Sequence, residues 1–205
     1  MSETVIRKSA KRIKVVELTQ YALLSALVIV MTVTPIGYIN AGGLSITLCH
    51  LPVILAAVML GAPGGAILGG VWGVTCLIKA YFAPPSPLEG LIFTDPVVSL
   101  LPRILAGVVA GLVFSAIAKK GTESSKVIGA GVAAISGCLV NTIGVLAAIY
   151  LLHSVDQGLP AVANAGQLLK LIWVAAAVNA PLEIAAAVVL AIPVSVAVRR
   201  AMRRV

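Results

Sequence analysis

Apolar residues run along this chain in long unbroken blocks, not in the alternation of a half-buried strand or the stripe of a soluble amphipathic helix. Six blocks stand out, at 16–35, 47–60, 64–82, 97–118, 127–152 and 168–198. A helix crosses the hydrocarbon of a bilayer with about 20 mostly apolar residues, so the pattern predicts six membrane-spanning helices. The second block is short, and a short span needs a thinned bilayer or burial among its neighbours. Only Gly61-Ala62-Pro63 separates it from the third, which predicts a tight helical hairpin.

Composition agrees with lipid as the main solvent. Sixty per cent of the residues are hydrophobic and 11% are charged, against roughly a quarter charged in a soluble domain. The mean hydropathy is +1.10. The first block follows a basic stretch, as a secretory signal would, but it is longer than an h-region of about 7–15 residues and reads as a retained helix. A single membrane domain over 1–205 is expected, with short polar tails at 1–15 and 199–205.

The charges carry the orientation. Arg7, Lys8, Lys11, Arg12 and Lys14 precede the first span. Lys119, Lys120 and Lys126 follow the fourth, and Arg199, Arg200, Arg203 and Arg204 follow the sixth. The loops after spans one, three and five hold no Lys or Arg between the helix ends. By the positive-inside rule both termini are expected in the cytoplasm. The net charge of +8 is then topological, and no basic face of a soluble domain points to nucleic acid.

Enzymatic scaffolds are missing from the sequence. There is no GxxxxGK[ST] phosphate loop, no HExxH, no GxSxG and no Cys-x-x-Cys. Cys49, Cys76 and Cys138 are scattered among apolar residues and read as small buried side chains. No catalytic, metal or cofactor role is expected. Uptake by such a chain runs on a gradient or on energy supplied by a partner.

Two features hint at packing and binding. Gly61, Gly65, Gly69 and Gly73 fall four apart, and Gly107 and Gly111 repeat the spacing in span four, which predicts close helix contact. Ala22 and Ala26 make a small-xxx-small pair in span one, with Thr19 and Ser25 nearby, a face suited to docking another subunit. The loops at 37–43, 84–90 and 154–167 are rich in turn residues and are expected to pack over the mouth of the bundle without helical structure.

Polar groups inside the spans are few, and such groups default to candidate functional sites. Lys79 lies near the outer end of span three, Arg103 about two turns into span four, and Asn141 near the middle of span five. Asn179 and Glu183 share a face of span six, and His50 and Lys170 sit at outer helix ends. At 1.5 Å per residue Arg103 lies roughly 9 Å below the outer end, and the two amides roughly 15–18 Å. A guanidinium above two amides suits a small anion, since its planar fork bonds both oxygens of a carboxylate. Structural roles stand beside these. Arg103 can snorkel or pair with Asp95 or Glu89, Lys79 and Lys170 can anchor at the interface, and Asn141, Asn179 and Glu183 can bond across helices. His50 can be a simple helix-end residue. Asp95 before Pro96 is an N-cap with proline at the first helical position.

Together these segments resemble a family, the substrate-binding S components of energy-coupling-factor transporters. The resemblance rests on Ala22-x-x-x-Ala26 and on Leu51-Pro52-Val53-Ile54-Leu55-Ala56-Ala57 leading to Gly61. It rests further on 95–107 with its Pro102-Arg103, on Leu139-Val140-Asn141-Thr142, and on Asn179-Ala180-Pro181-Leu182-Glu183. It runs from Val16 to Arg200 and is nearest the pantothenate-type members. Asp95 departs from the pattern, which has asparagine before the proline.

The resemblance implies an all-α integral membrane protein of six spans in the cell membrane. It implies capture of a vitamin, best read as pantothenate, from outside, by Arg103, Asn141, Asn179, Glu183, His50 and Lys79. It also implies docking through Ala22 and Ala26 on a module of one coupling membrane subunit and two ATPases. The competing expectation is a proton- or ion-coupled carrier working without an ATPase, with Glu183 and the buried cations as its relay.

Overall fold

The computed structural model describes residues 15–41, 44–84, 87–119, 121–153, 177, 180–190, 192–193 and 196–197. Its elements in chain order are helix α1 (Val15–Val33), a 3-10 turn (Pro35–Gly37), strands β1 (Tyr38–Ala41) and β2 (Leu44–Thr47), and helix α2 (His50–Phe82). Helices α3 (Pro87–Ile92), α4 (Pro96–Ala118), α5 (Glu123–His153) and α6 (Ala180–Leu190) follow. Four of these, α1, α2, α4 and α5, are long and apolar enough to cross a membrane.

Helix α2 is two helices by its backbone. Gly61 has φ 75° and ψ −170°, a conformation that only glycine takes without strain, and Pro63 follows it. Residues eight apart in a straight helix are about 12 Å apart along the axis. Here a Cβ on Gly65 would lie 2.9 Å from the Cβ of Ala57, and one on Gly64 would lie 2.9 Å from the carbonyl oxygen of Ala56. The chain therefore doubles back at Gly61, and the expected hairpin is present. Gly61 makes the turn and does not belong to the glycine stripe.

Several expected boundaries move. The second span was expected from Thr47, but Thr47 ends β2, and the helix opens at His50. The 37–43 loop was expected to be irregular, yet β1 and β2 pair antiparallel with Tyr38 opposite Thr47 and Ala41 opposite Leu44. The fold is thus helical with one added β-hairpin. The 84–90 loop, expected without helix, carries α3. Glu123–Lys126, expected in a loop, forms the first turn of α5, where Lys126 pairs with Glu123 at 3.6 Å. Of the span expected at 168–198, the described helix is α6; Asn179, Lys170 and the 154–167 loop lie outside the described residues.

The first arm of α2 is the buried centre. Pro52 through Val58 are all buried. Ile54, Ala57 and Val58 pack with Ala110, Ala130, Ala133, Ala134, Cys138 and Ala187 from α4, α5 and α6. On the other side Val53, Leu55 and Ala56 meet Leu24, Val28 and Met31 of α1, together with Leu68 and Trp72 of the returning arm. A core built largely of alanine brings backbones close, which is how helices associate where lipid removes the hydrophobic drive between them.

The returning arm and α4 cross on their glycines. A Cβ on Gly65 would collide with the carbonyl of Gly107, one on Gly69 with the carbonyl of Arg103, and one on Gly111 with Ala62. At Gly73 it would lie 2.8 Å from the Cα of Leu100. The register is antiparallel, and its missing side chains fix how far along α2 each residue of α4 sits.

Candidate functional site

That register places Arg103. Its carbonyl rests on Gly69, so its side chain emerges one turn from Trp72. Pro102 has no N–H and leaves the carbonyl of Val98 without its helical donor. The Nη1 of Arg103 donates to that same carbonyl. The Pro-Arg pair thus provides both the vacancy and the group that fills it. The guanidinium carbon then lies 5.4 Å from the Trp72 ring centroid and 5.1 Å from that of Phe93, within range for cation–π attraction. Arg103 is 6% exposed.

Phe93 is held by α4 itself. Asp95 caps that helix, accepting from the Val97 amide at 2.8 Å, and Pro96 follows at the first position. Ser99, one turn in, donates its hydroxyl to the Phe93 carbonyl at 2.5 Å. Tyr81 donates to the carbonyl of Thr94 at 3.3 Å, tying the end of α2 to the same segment.

These groups surround an open cavity of about 120 Å³, lined by Thr47, Trp72, Cys76, Lys79, Ala80, Glu89, Phe93, Arg103 and Asn141. It lies at the end of the bundle that holds the β-hairpin and α3, opposite the Lys119 end of α4. Among the described residues the lining offers two cations, one carboxylate, one amide and two aromatic rings, a chemistry suited to a polar, anionic molecule with an apolar part. Asn141 presents a buried Oδ1 with no hydrogen-bond partner among the described residues. An unmet buried acceptor is costly, and a ligand N–H or O–H would satisfy it.

Of the expected site residues, Arg103, Lys79 and Asn141 come together in this lining. Lys79 donates from Nζ to the carbonyl of Thr32 at 2.8 Å, so it also braces α1. Glu183 is buried and does not line the cavity; its carboxylate accepts from the Thr47 amide at 3.1 Å and so holds a lining residue in place. His50 is 3% exposed at the start of α2 and is not part of the lining. Asn179 lies outside the described residues. Trp72, Cys76 and Phe93 were not anticipated. Trp72, Cys76 and Lys79 sit at i, i+4 and i+7, so one helical face carried the signal.

On α1 the buried residues are Leu24, Val28, Met31 and Thr32, and Ala22, Ala26 and Thr19 are exposed, with Ser25 half-buried. The small-residue face is turned away from the bundle.

The family model described as "ECF transporter, substrate-specific component" matches residues 16–195. Among curated proteins, the chain is 32% identical over 126 residues to the "Pantothenate transporter PanT" of Leuconostoc mesenteroides, covering 59% of this chain and 61% of that one. It is 34% identical over 117 residues to the "Pantothenic acid transporter PanT" of Lactococcus lactis, covering 51% and 56%. The chain thus matches less than two thirds of the length of either relative.

Proposed function

This chain belongs to the family of substrate-specific components of ECF transporters, and from that premise we propose that it captures pantothenate, or a close vitamin precursor, at the outer face of the cell membrane. The observation that carries the reading is Arg103, fixed by the Val98 carbonyl and lying over Trp72 and Phe93, in a cavity with Lys79 and Asn141. Pantothenate has one carboxylate, an amide and two hydroxyls on a branched apolar centre. The carboxylate goes to Arg103 and Lys79, where charge-assisted bonds are strongest. The amide N–H or a hydroxyl meets Asn141 Oδ1, and the apolar centre lies against the rings. The names of both curated relatives support the substrate.

Lys119 and Lys126 flank the end of the bundle away from the cavity. With that end in the cytoplasm by the positive-inside rule, the cavity opens outward, and both termini lie inside. Lacking a phosphate loop, the chain draws its energy from a partner module of a coupling subunit and two ATPases, which docks on the Ala22–Ala26 face of α1. Glu183 and His50 shape the site, Glu183 acting through Thr47, and the family resemblance adds Asn179 as a substrate-binding residue.

The test is ligand recovery. Protein purified in detergent is denatured and the released small molecules are identified by mass spectrometry. Pantothenate is expected from the native chain and is lost from a folded Arg103→Ala variant. A chain that releases nothing and binds nothing from a vitamin panel overturns the reading.

A further inference from the structure

We propose that Glu89 makes this cavity selective for a singly charged anion and rejects one of the same skeleton that carries further negative charge; the inference rests on the vitamin reading above. Among the described residues, the charged side chains in the lining are Lys79, Arg103 and Glu89, which together carry one net positive charge, matched by one carboxylate. Glu183 is directed to the Thr47 amide and is not part of the lining.

The placement of Glu89 is built into the fold. It lies in α3, and the Phe93 amide donates to its carbonyl at 2.9 Å, continuing the helical turn. Residues one turn apart share a face, and both Glu89 and Phe93 line the cavity. Phe93 is the ring 5.1 Å from the Arg103 guanidinium. The carboxylate therefore rides on the same segment that covers the cation. That segment is fixed by Ser99 on the Phe93 carbonyl and Tyr81 on the Thr94 carbonyl. At Gly90 a Cβ would lie 3.0 Å from Pro84, so the turn carrying Glu89 sits tightly on the end of α2.

Glu89 lines the same small cavity as Arg103 and Lys79, so a second anionic group inside it lies in the field of Glu89. A first carboxylate has Arg103 and Lys79. Among the described residues a second anion finds no further cation in the lining, and it meets a carboxylate. A hydroxyl at the same place donates to Glu89 instead. The site thus reads one end of its ligand as an anion and the other as an uncharged donor.

The experiment compares three compounds on purified protein: pantothenate, its phosphate monoester at the terminal hydroxyl, and its acetate ester at that hydroxyl. The acetate ester adds bulk without charge. The native chain is expected to bind pantothenate and to disfavour the phosphate ester by roughly tenfold beyond the acetate ester. Glu89→Gln is expected to shrink that difference severalfold with pantothenate still bound, and Glu89→Asp to keep it. Glu89→Ala serves where Glu89→Gln does not fold. Unchanged discrimination in a Glu89→Gln or Glu89→Ala chain that still binds pantothenate overturns this inference and leaves the vitamin reading standing. Equal relief for both esters also overturns it, because bulk is then the cause. A native chain that binds none of the three overturns the vitamin reading and this inference with it.

Discussion

The Nζ of Lys79 donates a 2.8 Å hydrogen bond to the backbone carbonyl of Thr32, joining the cavity wall on α2 to the last turn of α1. The last four carbonyls of a helix have no amide partner, and a cation there also meets the negative end of the helix dipole. Thr32 is buried, and its own hydroxyl turns back to the Val28 carbonyl at 2.8 Å. Lys79 thus has a bracing role and a charge role in one side chain. Lys79→Met is expected to weaken anion binding by roughly tenfold or more and to lower the thermal midpoint as well, because both roles are lost. Lys79→Arg keeps the charge and is expected to lose less affinity. Binding titrations and thermal melts in detergent read the two effects separately. Unchanged affinity in a folded Lys79→Met chain would remove Lys79 from the site.

Pro102 gives a sharper test of how Arg103 is held. An alanine at 102 brings back an amide that can take the Val98 carbonyl in the ordinary helical bond. Arg103 then competes with the backbone for its own anchor. Pro102→Ala is expected to leave the helix intact and to weaken ligand binding by about threefold to tenfold, the scale of one lost hydrogen bond from a charged group. Arg103→Lys is expected to weaken it more, since an ammonium lacks the planar fork and stacks poorly on Trp72 and Phe93. Equal affinity in the Pro102→Ala and native chains would mean that the Val98 bond does not position the guanidinium.

The crossing of α2 and α4 is sensitive to a single methyl. A side chain at Gly65 meets the backbone carbonyl of Gly107, which has no rotamer to yield with. Overpacking of this kind costs about 1–3 kcal/mol, so Gly65→Ala is expected to lower the thermal midpoint by about 2–12 °C in a chain of this length. Gly70 is the control on the same helix. Its nearest neighbour is the side chain of Ile104 at 4.0 Å, and Gly70→Ala is expected to be neutral or mildly stabilising. A melt of the two variants side by side decides the matter.

Much of this architecture was legible because lipid imposes a length on apolar blocks. The hairpin at Gly61-Ala62-Pro63, the Asp95 cap and the contacts of Gly65, Gly69, Gly73, Gly107 and Gly111 lie where the sequence placed them, while Gly61 makes the turn and leaves the stripe. The β-hairpin was missed although Gly42-Gly43 between Tyr38-Ile39 and Ile46-Thr47 is a recognisable hairpin signal. Attention to long apolar blocks treats everything between them as loop. Trp72 and Cys76 were missed for a different reason. In a helix this apolar the inward face is marked only by the spacing of Trp72 and Cys76 from Lys79. Glu183 is expected both as a site residue, being ionisable inside a span, and as a structural partner across helices. Its partner is the main-chain amide of Thr47, and backbone donors leave no trace in a sequence.

The face of α1 that looks away from the bundle carries the last prediction. Ala22 and Ala26 are exposed and Leu24 and Val28 are buried, so a bulky residue at 22 or 26 grows outward and leaves the core untouched. Small residues four apart allow a partner helix to approach at backbone distance, and a large side chain holds it off. Ala22→Trp and Ala26→Trp are expected to bind pantothenate as the native chain does, because neither residue lines the cavity. Both are expected to lose co-purification with the coupling subunit and its ATPases, and with it uptake into cells. Leu23→Trp, on an exposed neighbouring position, adds the same bulk outside the small-residue pair and is expected to interfere less. Normal assembly of Ala26→Trp would move the docking surface to another helix, and loss of ligand binding in the same variant would mean that α1 acts on the cavity directly through Thr32 and Lys79.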